Sequence, residues 1–475
     1  MLLRRFFDEQ LAQTSYLAAC DHARLGVIVD PNRNVAQYIE AAARDNIRIV
    51  AVTETHIHAD LVSGSRELAR RTNAQLYLSD AGDAEWKYGF AGESRAELLT
   101  DGSHFMIGDV RIDAIHTPGH TPEHMTFLVT DTAVAAEPMG AITGDFIFVG
   151  DVGRPDLLER AAGYAGTMET SARRLFQSLQ AFKTFPDYLQ IWPGHGAGSA
   201  CGKALGAMPQ STLGYEKLFN WAFAEDDEER FVTEVLAGQP EPPAYFAIMK
   251  RVNRDGPADA PTTVPPVAGA DEIARSLSAG ETVVDTRSVL EFAARHAAGS
   301  VNIPRNRSFL NWAGSLLPYD RDVCVIGDSS EEARRQLAAD LSLIGLERVS
   351  GVFPAESLDE LSKLGVRMSA TRQISVGDVR TRRNATILDV RGRSEFAAGH
   401  LPRALNIPLG ELRRRLDEIP EGQVVVHCQG GSRSAIAASI LQRGGRDDMS
   451  SMYGGFSEWE RSGNPVERGS RTQGS

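Results

Sequence analysis

Four short segments of this chain carry histidine or aspartate where an apolar run gives way to a turn. They are Thr55-His56-Ile57-His58-Ala59-Asp60, Thr117-Pro118-Gly119-His120-Thr121-Pro122-Glu123-His124, Thr143-Gly144-Asp145-Phe146 and Trp192-Pro193-Gly194-His195-Gly196. Glycine- and proline-rich turns at strand ends place side chains along one edge of a sheet, where residues distant in sequence can meet. A fold that honours this pattern must bring four strand ends to one side. A lone His-x-His is usually a pair of surface or capped histidines. Four segments of one kind point instead to a single metal site, with His56, His58, Asp60, His120, Asp145 and His195 as candidates.

The length of 475 residues implies two to four domains. Residues 1–255 alternate strand-like and helix-like stretches, as in LGVIVD (25–30), a helix over 35–46 and IRIVAVTETH (47–56), which predicts an α/β layered architecture. The Pro-, Ala- and Gly-rich stretch 254–270 reads as a linker. An internal repeat follows it. VVDTRSVLEFAARHAAGSVNIP (283–304) matches ILDVRGRSEFAAGHLPRALNIP (387–408), and RDVCVIGDSSEEARRQLAADL (321–341) corresponds to GQVVVHCQGGSRSAIAASILQ (422–442). Two homologous domains are therefore expected, at 265–368 and 372–470.

The four histidine and aspartate segments resemble the metallo-β-lactamase superfamily. The resemblance implies an αββα sandwich over residues 1–255, followed by two α/β domains. Dinuclear hydrolases of that superfamily, glyoxalase II among them, read His-x-His-x-Asp-His. Here the last position is Leu61, which offers no ligand atom, so a second metal is disfavoured. By resemblance to the persulfide dioxygenase branch, His56, His120 and Asp145 would hold one Fe(2+), with zinc as the alternative ion. Two histidines and one carboxylate suit a non-haem iron oxygenase. His58, Asp60 and His195 would orient ligands or solvent by hydrogen bonding. The run from Gly144-Asp145 to Gly153-Arg154-Pro155-Asp156 also resembles that branch. Arg154 would aim its guanidinium at substrate, or else form an ion pair with Asp151 or Asp156. Cys201, six residues after His195, is either a second sulfur-handling thiol near the metal or buried filler.

In the last domain, Cys428-Gln429-Gly430-Gly431-Ser432-Arg433 follows an apolar strand and precedes a helical run. Backbone N–H groups at such a helix start, together with a cation, favour a thiolate. A thiolate there can accept a sulfur atom and pass it on. The loop resembles the rhodanese active loop, as do Asp389-Val390-Arg391, Gly399-His400 and Asn406-Ile407-Pro408. Tyrosine phosphatase loops place one more residue between Cys and Arg than the four found here. The resemblance makes Cys428 and Arg433 catalytic, with Gly430 and Ser432 in the substrate cradle. In the first repeat Gly327 stands where Cys428 does, Cys324 falls inside the strand, and acidic residues replace the glycines, so that module is expected to be inactive.

Joined in one chain, the two sites imply persulfide oxidation coupled to sulfur transfer in sulfide detoxification. A low-molecular-weight thiol persulfide such as glutathione persulfide, with O2, would give sulfite or thiosulfate. Cys428 either delivers persulfide sulfur to the metal or combines sulfite with a second persulfide. The alternatives are a glyoxalase II-like zinc thioester hydrolase and a persulfide sensor. The formal charge of −13 argues against nucleic acid or an anionic membrane as partner. No apolar run reaches the ~18 residues of a membrane span. Acidic residues interrupt the N-terminal stretch before any signal-like core, so a cytoplasmic setting is expected. The four cysteines lack CxxC spacing, and no disulfide framework is expected. By analogy with such relatives, a homo-oligomer is expected.

Overall fold

A computed structural model describes residues 1–157, 159, 166–199, 201, 202 and 205–469. Residue 470, the expected end of the last domain, lies outside them. The chain divides into two compact units, Met1–Pro261 with Ser342–Gly345, and Thr262–Leu341 with Leu346–Ser475. The division falls inside the stretch read as a linker.

The first unit holds two six-stranded sheets. One runs in the order β1 (Leu2–Asp8), β2 (Gln13–Cys20), β3 (Leu25–Val29), β4 (Arg48–Thr53), β5 (Gln75–Ser79), β6 (Glu97–Leu99). The other is built from β7 (His104–Ile107), β8 (Val110–His116), β9 (Met125–Asp131), β10 (Gly140–Gly144), β13 (Gln190–Pro193) and β14 (Ser211–Thr212), in the order β14-β13-β10-β9-β8-β7. A two-stranded ribbon of β11 (Ile147–Phe148) and β12 (Asp151–Val152) follows β10.

Strand periodicity of two sorts side chains to two faces. In β2, Tyr16 and Ala18 join Val27, Val29 and Ala51 against Ile112, Phe127, Val129 and Ile142 of the facing sheet. Leu17 and Ala19 turn the other way, onto Val35, Tyr38 and Ala42 of the helix Val35–Arg44 and Leu68 of the helix Ser65–Thr72. The second sheet sends Leu128, Ala141 and Ile191 outward to Ala172, Leu175, Leu179 and Phe182 of the helix Met168–Phe182. The result is the αββα sandwich. Each fully buried Phe or Leu contributes about 1.5–3 kcal/mol.

Strand direction gathers the site. β8 and β10 are both antiparallel to β9 and so run alike, and β13 is parallel to β10. The turns after β8, β10 and β13 therefore lie at one edge. The segment after β4 carries His56.

The second unit contains two sheets with all-parallel pairing. β15 (Thr282–Asp285), β17 (Val301–Asn302), β18 (Val323–Gly327) and β19 (Val349–Pro354) form one, ordered β17-β15-β18-β19. Two short strands, β16 (His296–Ala297) and β20 (Met368–Ser369), pair beside it. β21 (Arg372–Ile374), β22 (Thr386–Asp389), β23 (Leu405–Asn406), β24 (Val424–His427) and β25 (Met449–Met452) form the other, ordered β21-β25-β24-β22-β23.

The repeat now has a physical reading. Arg287 and Arg391 each form an ion pair with the aspartate two residues earlier, Asp285 and Asp389. Asn302 and Asn406 each donate to two carbonyls around that pair. His296 stacks on Phe292, and His400 on Phe396. The Asp-x-Arg and Asn-Ile-Pro signatures are thus one brace used twice.

Candidate metal centre and sulfur-transfer site

His56, His120 and Asp145 converge, with one donor atom of each lying within 4.8 Å of the others and all three side chains buried. Their hydrogen bonds decide which atoms face the centre. Thr55 Oγ1 donates to Asp30 Oδ2 at 2.9 Å, so it accepts from His56 Nδ1, also at 2.9 Å. The Arg154 carbonyl accepts from His120 Nδ1 at 3.1 Å. Both imidazoles are therefore left with a bare Nε2 lone pair. Burial holds both rings in the neutral form. Among the described residues, neither oxygen of Asp145 has a hydrogen-bond donor. Buried lone pairs and an orphaned carboxylate turned on one point fit a divalent cation.

Two glycines allow this approach. Gly144 adopts φ +50°, and a Cβ there would strike Thr55 Oγ1 and His124 Nε2. A Cβ on Gly194 would stand 2.8 Å from Asp145 Oδ1.

The three residues expected to support the ligands divide. His58 donates through Nε2 to Asp30 Oδ1 at 3.3 Å. Burial opposes its charge, but the Asp30 hydrogen bond, with the charges of Asp30, Asp60 and Glu54, pushes its pKa up. Asp60 and His195 instead form a second buried group with Cys201, their donor atoms also within 4.8 Å of one another. Burial and the neighbouring Asp145 and Asp60 push the Cys201 thiol well up. Leu61 is fully buried, and its carbonyl accepts from Asn253 Nδ2.

Of the ion-pair partners expected for Arg154, the geometry shows Asp156. The arginine side chain is buried, with Nε and Nη2 donating to the two oxygens of Asp156 at 2.8 Å each and Nη2 also to the Pro240 carbonyl at 2.6 Å. It reaches the centre through its carbonyl on His120. Arg154→Ala takes one partner from a buried ion pair, and is expected to cost about 3 kcal/mol. Urea denaturation checks this: the transition of the first unit should move to lower urea.

Four supporting residues carried no sequence signal strong enough to single them out. Asp30 fixes Thr55 through its backbone N–H as well as its hydroxyl. Glu123 Oε1 accepts from the Ile57 N–H at 2.8 Å. Asn253 ties down the same turn, donating to the His58 and Leu61 carbonyls and accepting from the Ser63 N–H. His124 accepts the Asp145 N–H at Nε2 and donates to Thr117 Oγ1. It had a visible clue, four residues after His120 in the same segment.

In the last domain Cys428 follows β24 and is buried. The Gly431 N–H points at its sulfur at 3.1 Å, and Ser434 Oγ lies 3.8 Å away. The helix Ser432–Arg443 begins beside it, so backbone dipole and N–H groups face the sulfur. Gly430 lies exposed on the loop, and Ser432 lies exposed at the first position of that helix. Arg433 forks onto Glu395 at 2.6 and 2.8 Å, so its charge is shared with that carboxylate. In the first repeat Cys324 is buried inside β18 with Sγ 2.9 Å from Ser350 Oγ, and Gly327 ends the strand. All four cysteines are unpaired.

Among the described residues, no helix is long and apolar enough to cross a membrane. The model of the metallo-beta-lactamase superfamily matches residues 9–195, and that of the rhodanese-like domain matches 269–352 and 375–462. The crystal structure of a metallo-beta-lactamase from Staphylococcus aureus subsp. aureus COL is 39% identical, with a TM-score of 0.67, and the match covers 74% of this chain and 98% of that one. The mitochondrial persulfide dioxygenase ETHE1 of Bos taurus is 26% identical over 200 residues, 41% of this chain and 68% of that protein. The probable polyketide biosynthesis zinc-dependent hydrolase BaeB of Bacillus velezensis is 24% identical over 211 residues, 44% of this chain and 84% of that protein. These two curated relatives carry different chemistries on one fold, so the reaction must be argued from the residues.

Proposed function

The chain belongs to the metallo-β-lactamase superfamily and carries two rhodanese-like domains; from that premise we propose that it is an iron-dependent persulfide dioxygenase coupled to sulfur transfer through Cys428. The observation that carries this reading is the donor set. Two neutral histidines and one carboxylate converge, with no third histidine among them, and the same chain also carries a thiol cradle. A ferrous ion held by His56, His120 and Asp145 would supply open coordination positions and the electrons for dioxygen chemistry.

The overall reaction balances as persulfide plus O2 plus water giving thiol, sulfite and two protons. The chain's own residues contribute orientation and charge. Thr55 and the Arg154 carbonyl fix the two imidazole tautomers, and His124 fixes the backbone of Asp145. At the other site a Cys428 thiolate attacks the outer sulfur of a persulfide, releasing the carrier thiol and leaving Cys428 persulfide. Sulfite can then take that sulfur as thiosulfate, returning the thiolate. The substrate carrier of choice is glutathione or a similar small thiol.

The test is oxygen consumption with glutathione persulfide by anaerobically purified protein of known metal content. Uptake should rise in proportion to iron, with one sulfite formed per O2. Full iron loading without oxygen uptake would overturn the reading, and zinc-dependent thioester hydrolysis would replace it.

A further inference from the structure

The helix Ser432–Arg443 starts beside the Cys428 sulfur and ends against the first repeat. Both repeats belong to one compact unit. Polar contacts fix the seam between them. Ser439 Oγ accepts from the buried Asn302 N–H at 3.0 Å. The Gly280 and Glu281 carbonyls accept from Arg443 Nη2 at 2.7 and 3.0 Å, and the Gly299 carbonyl accepts from Nη1 at 3.4 Å. Three carbonyls hold this guanidinium in place. A carbonyl bears only partial charge, however, and does not neutralise a cation as a carboxylate does.

A cavity of about 250 Å³ lies at this seam. Val301, Leu316 and Leu317 of the first repeat face Leu416 and Ile440 of the last domain across it. Its charged lining is Arg413 and Arg443, and no acidic side chain lines it among the described residues. Arg413 is exposed, which leaves its guanidinium room to turn towards a ligand. Burial and the nearby Arg413 charge push the Arg443 pKa down. Two like charges beside an apolar wall are relieved by an anion placed between them. The wall in turn favours an apolar chain on that anion. The volume falls just short of the ~300–1,000 Å³ of pockets for drug-sized molecules, so the chain is short.

We propose that this seam binds a small amphipathic anion, a carboxylate on a short apolar chain. The carboxylate sits between Arg413 and Arg443, and the chain packs on Val301, Leu316, Leu317 and Ile440. A planar guanidinium fork matches a carboxylate with two parallel hydrogen bonds. A neutral apolar molecule would leave the two cations facing each other, and an inorganic anion would leave the wall uncovered. The site uses none of the residues assigned to the metal centre or the thiol cradle, so it does not rest on the proposed reaction.

Isothermal titration of the full-length chain with octanoate tests the site. One octanoate per chain is expected, with a dissociation constant below about 1 mM. Octanol, of the same chain length without the charge, should bind about tenfold more weakly, and so should inorganic sulfate, which lacks the chain. Arg413→Met should weaken octanoate about tenfold, the scale of one charge-assisted hydrogen bond. Arg413 is exposed, so the fold should tolerate this change. Arg414→Met removes a neighbouring exposed charge that does not line the cavity, and should leave the affinity unchanged.

No octanoate binding by the unaltered chain would overturn the proposal. Equal losses in the two variants would also overturn it, by reducing the effect to diffuse surface charge. Octanol or sulfate binding as tightly as octanoate would overturn the assigned ligand class. Each of these results leaves the oxygen-uptake test untouched, and failure of that test leaves the octanoate site standing.

Discussion

His120→Ala is expected to reduce oxygen uptake with glutathione persulfide by at least about 100-fold, because losing even an outer partner of a metal ligand commonly costs 10- to 100-fold. The ring supplies one of the three donor atoms of the proposed iron site, and no described neighbour can replace it. Two histidines lie four positions away: His116 turns its Nε2 to the Pro122 carbonyl, and the other is His124. Its Nε2 is already committed to the Asp145 N–H, and its Nδ1 to Thr117. The change also removes one hydrogen bond to the Arg154 carbonyl, at a cost of about 1 kcal/mol that the fold can absorb. Global unfolding is therefore not the expected cause. The chain carries its own control, since Cys428 lies in the other compact unit. Sulfurtransferase activity of the same preparation should persist while iron content and oxygen uptake fall together. Retained uptake at full iron content would remove His120 from the ligand set.

The same residues show how far sequence reasoning reached. The four metal segments were legible because each joins a ligand residue to a turn former at the end of an apolar run. The two repeated modules were legible because their brace needs Asp, Arg and Asn at fixed offsets. Asp30, Glu123 and Asn253 were not. Each is a common polar residue whose partner lies 25, 66 or 190 positions away, a pairing that only the fold creates. Arg154 was ambiguous because acids flank it on both sides in sequence. Burial accounts for the pairing with Asp156, since a guanidinium taken out of water needs a carboxylate beside it, and Asp156 is equally buried. Leu61 spoke only for the position it occupies. That Cys201, 140 positions later, meets Asp60 and His195 is a pairing only the fold creates.

Cys428→Ser is expected to lower thiosulfate sulfurtransferase activity to below about one thousandth, the scale seen when a covalent catalyst loses its nucleophile. The substitution changes one atom. Serine fits the cradle, and the Gly431 N–H can donate to an oxygen as it does to Sγ at 3.1 Å. Stability should therefore stay within about 0.5 kcal/mol, the usual range for a change without a packing defect. What disappears is the chemistry, because a hydroxyl neither ionises at neutral pH nor carries a transferable sulfur. The first repeat cannot compensate. Gly327 occupies the corresponding position, and Cys324 is sealed inside β18 against Ser350. Oxygen uptake at the proposed iron site should continue in this variant, which separates the two proposed activities within one chain. The product then reports the direction of sulfur flow. If Cys428 normally passes sulfur to sulfite, the variant accumulates sulfite in place of thiosulfate. If Cys428 instead feeds the metal site, oxygen uptake driven by thiosulfate and a reducing thiol is lost while uptake with preformed glutathione persulfide remains. Undiminished sulfur transfer in Cys428→Ser would exclude it as the carrier.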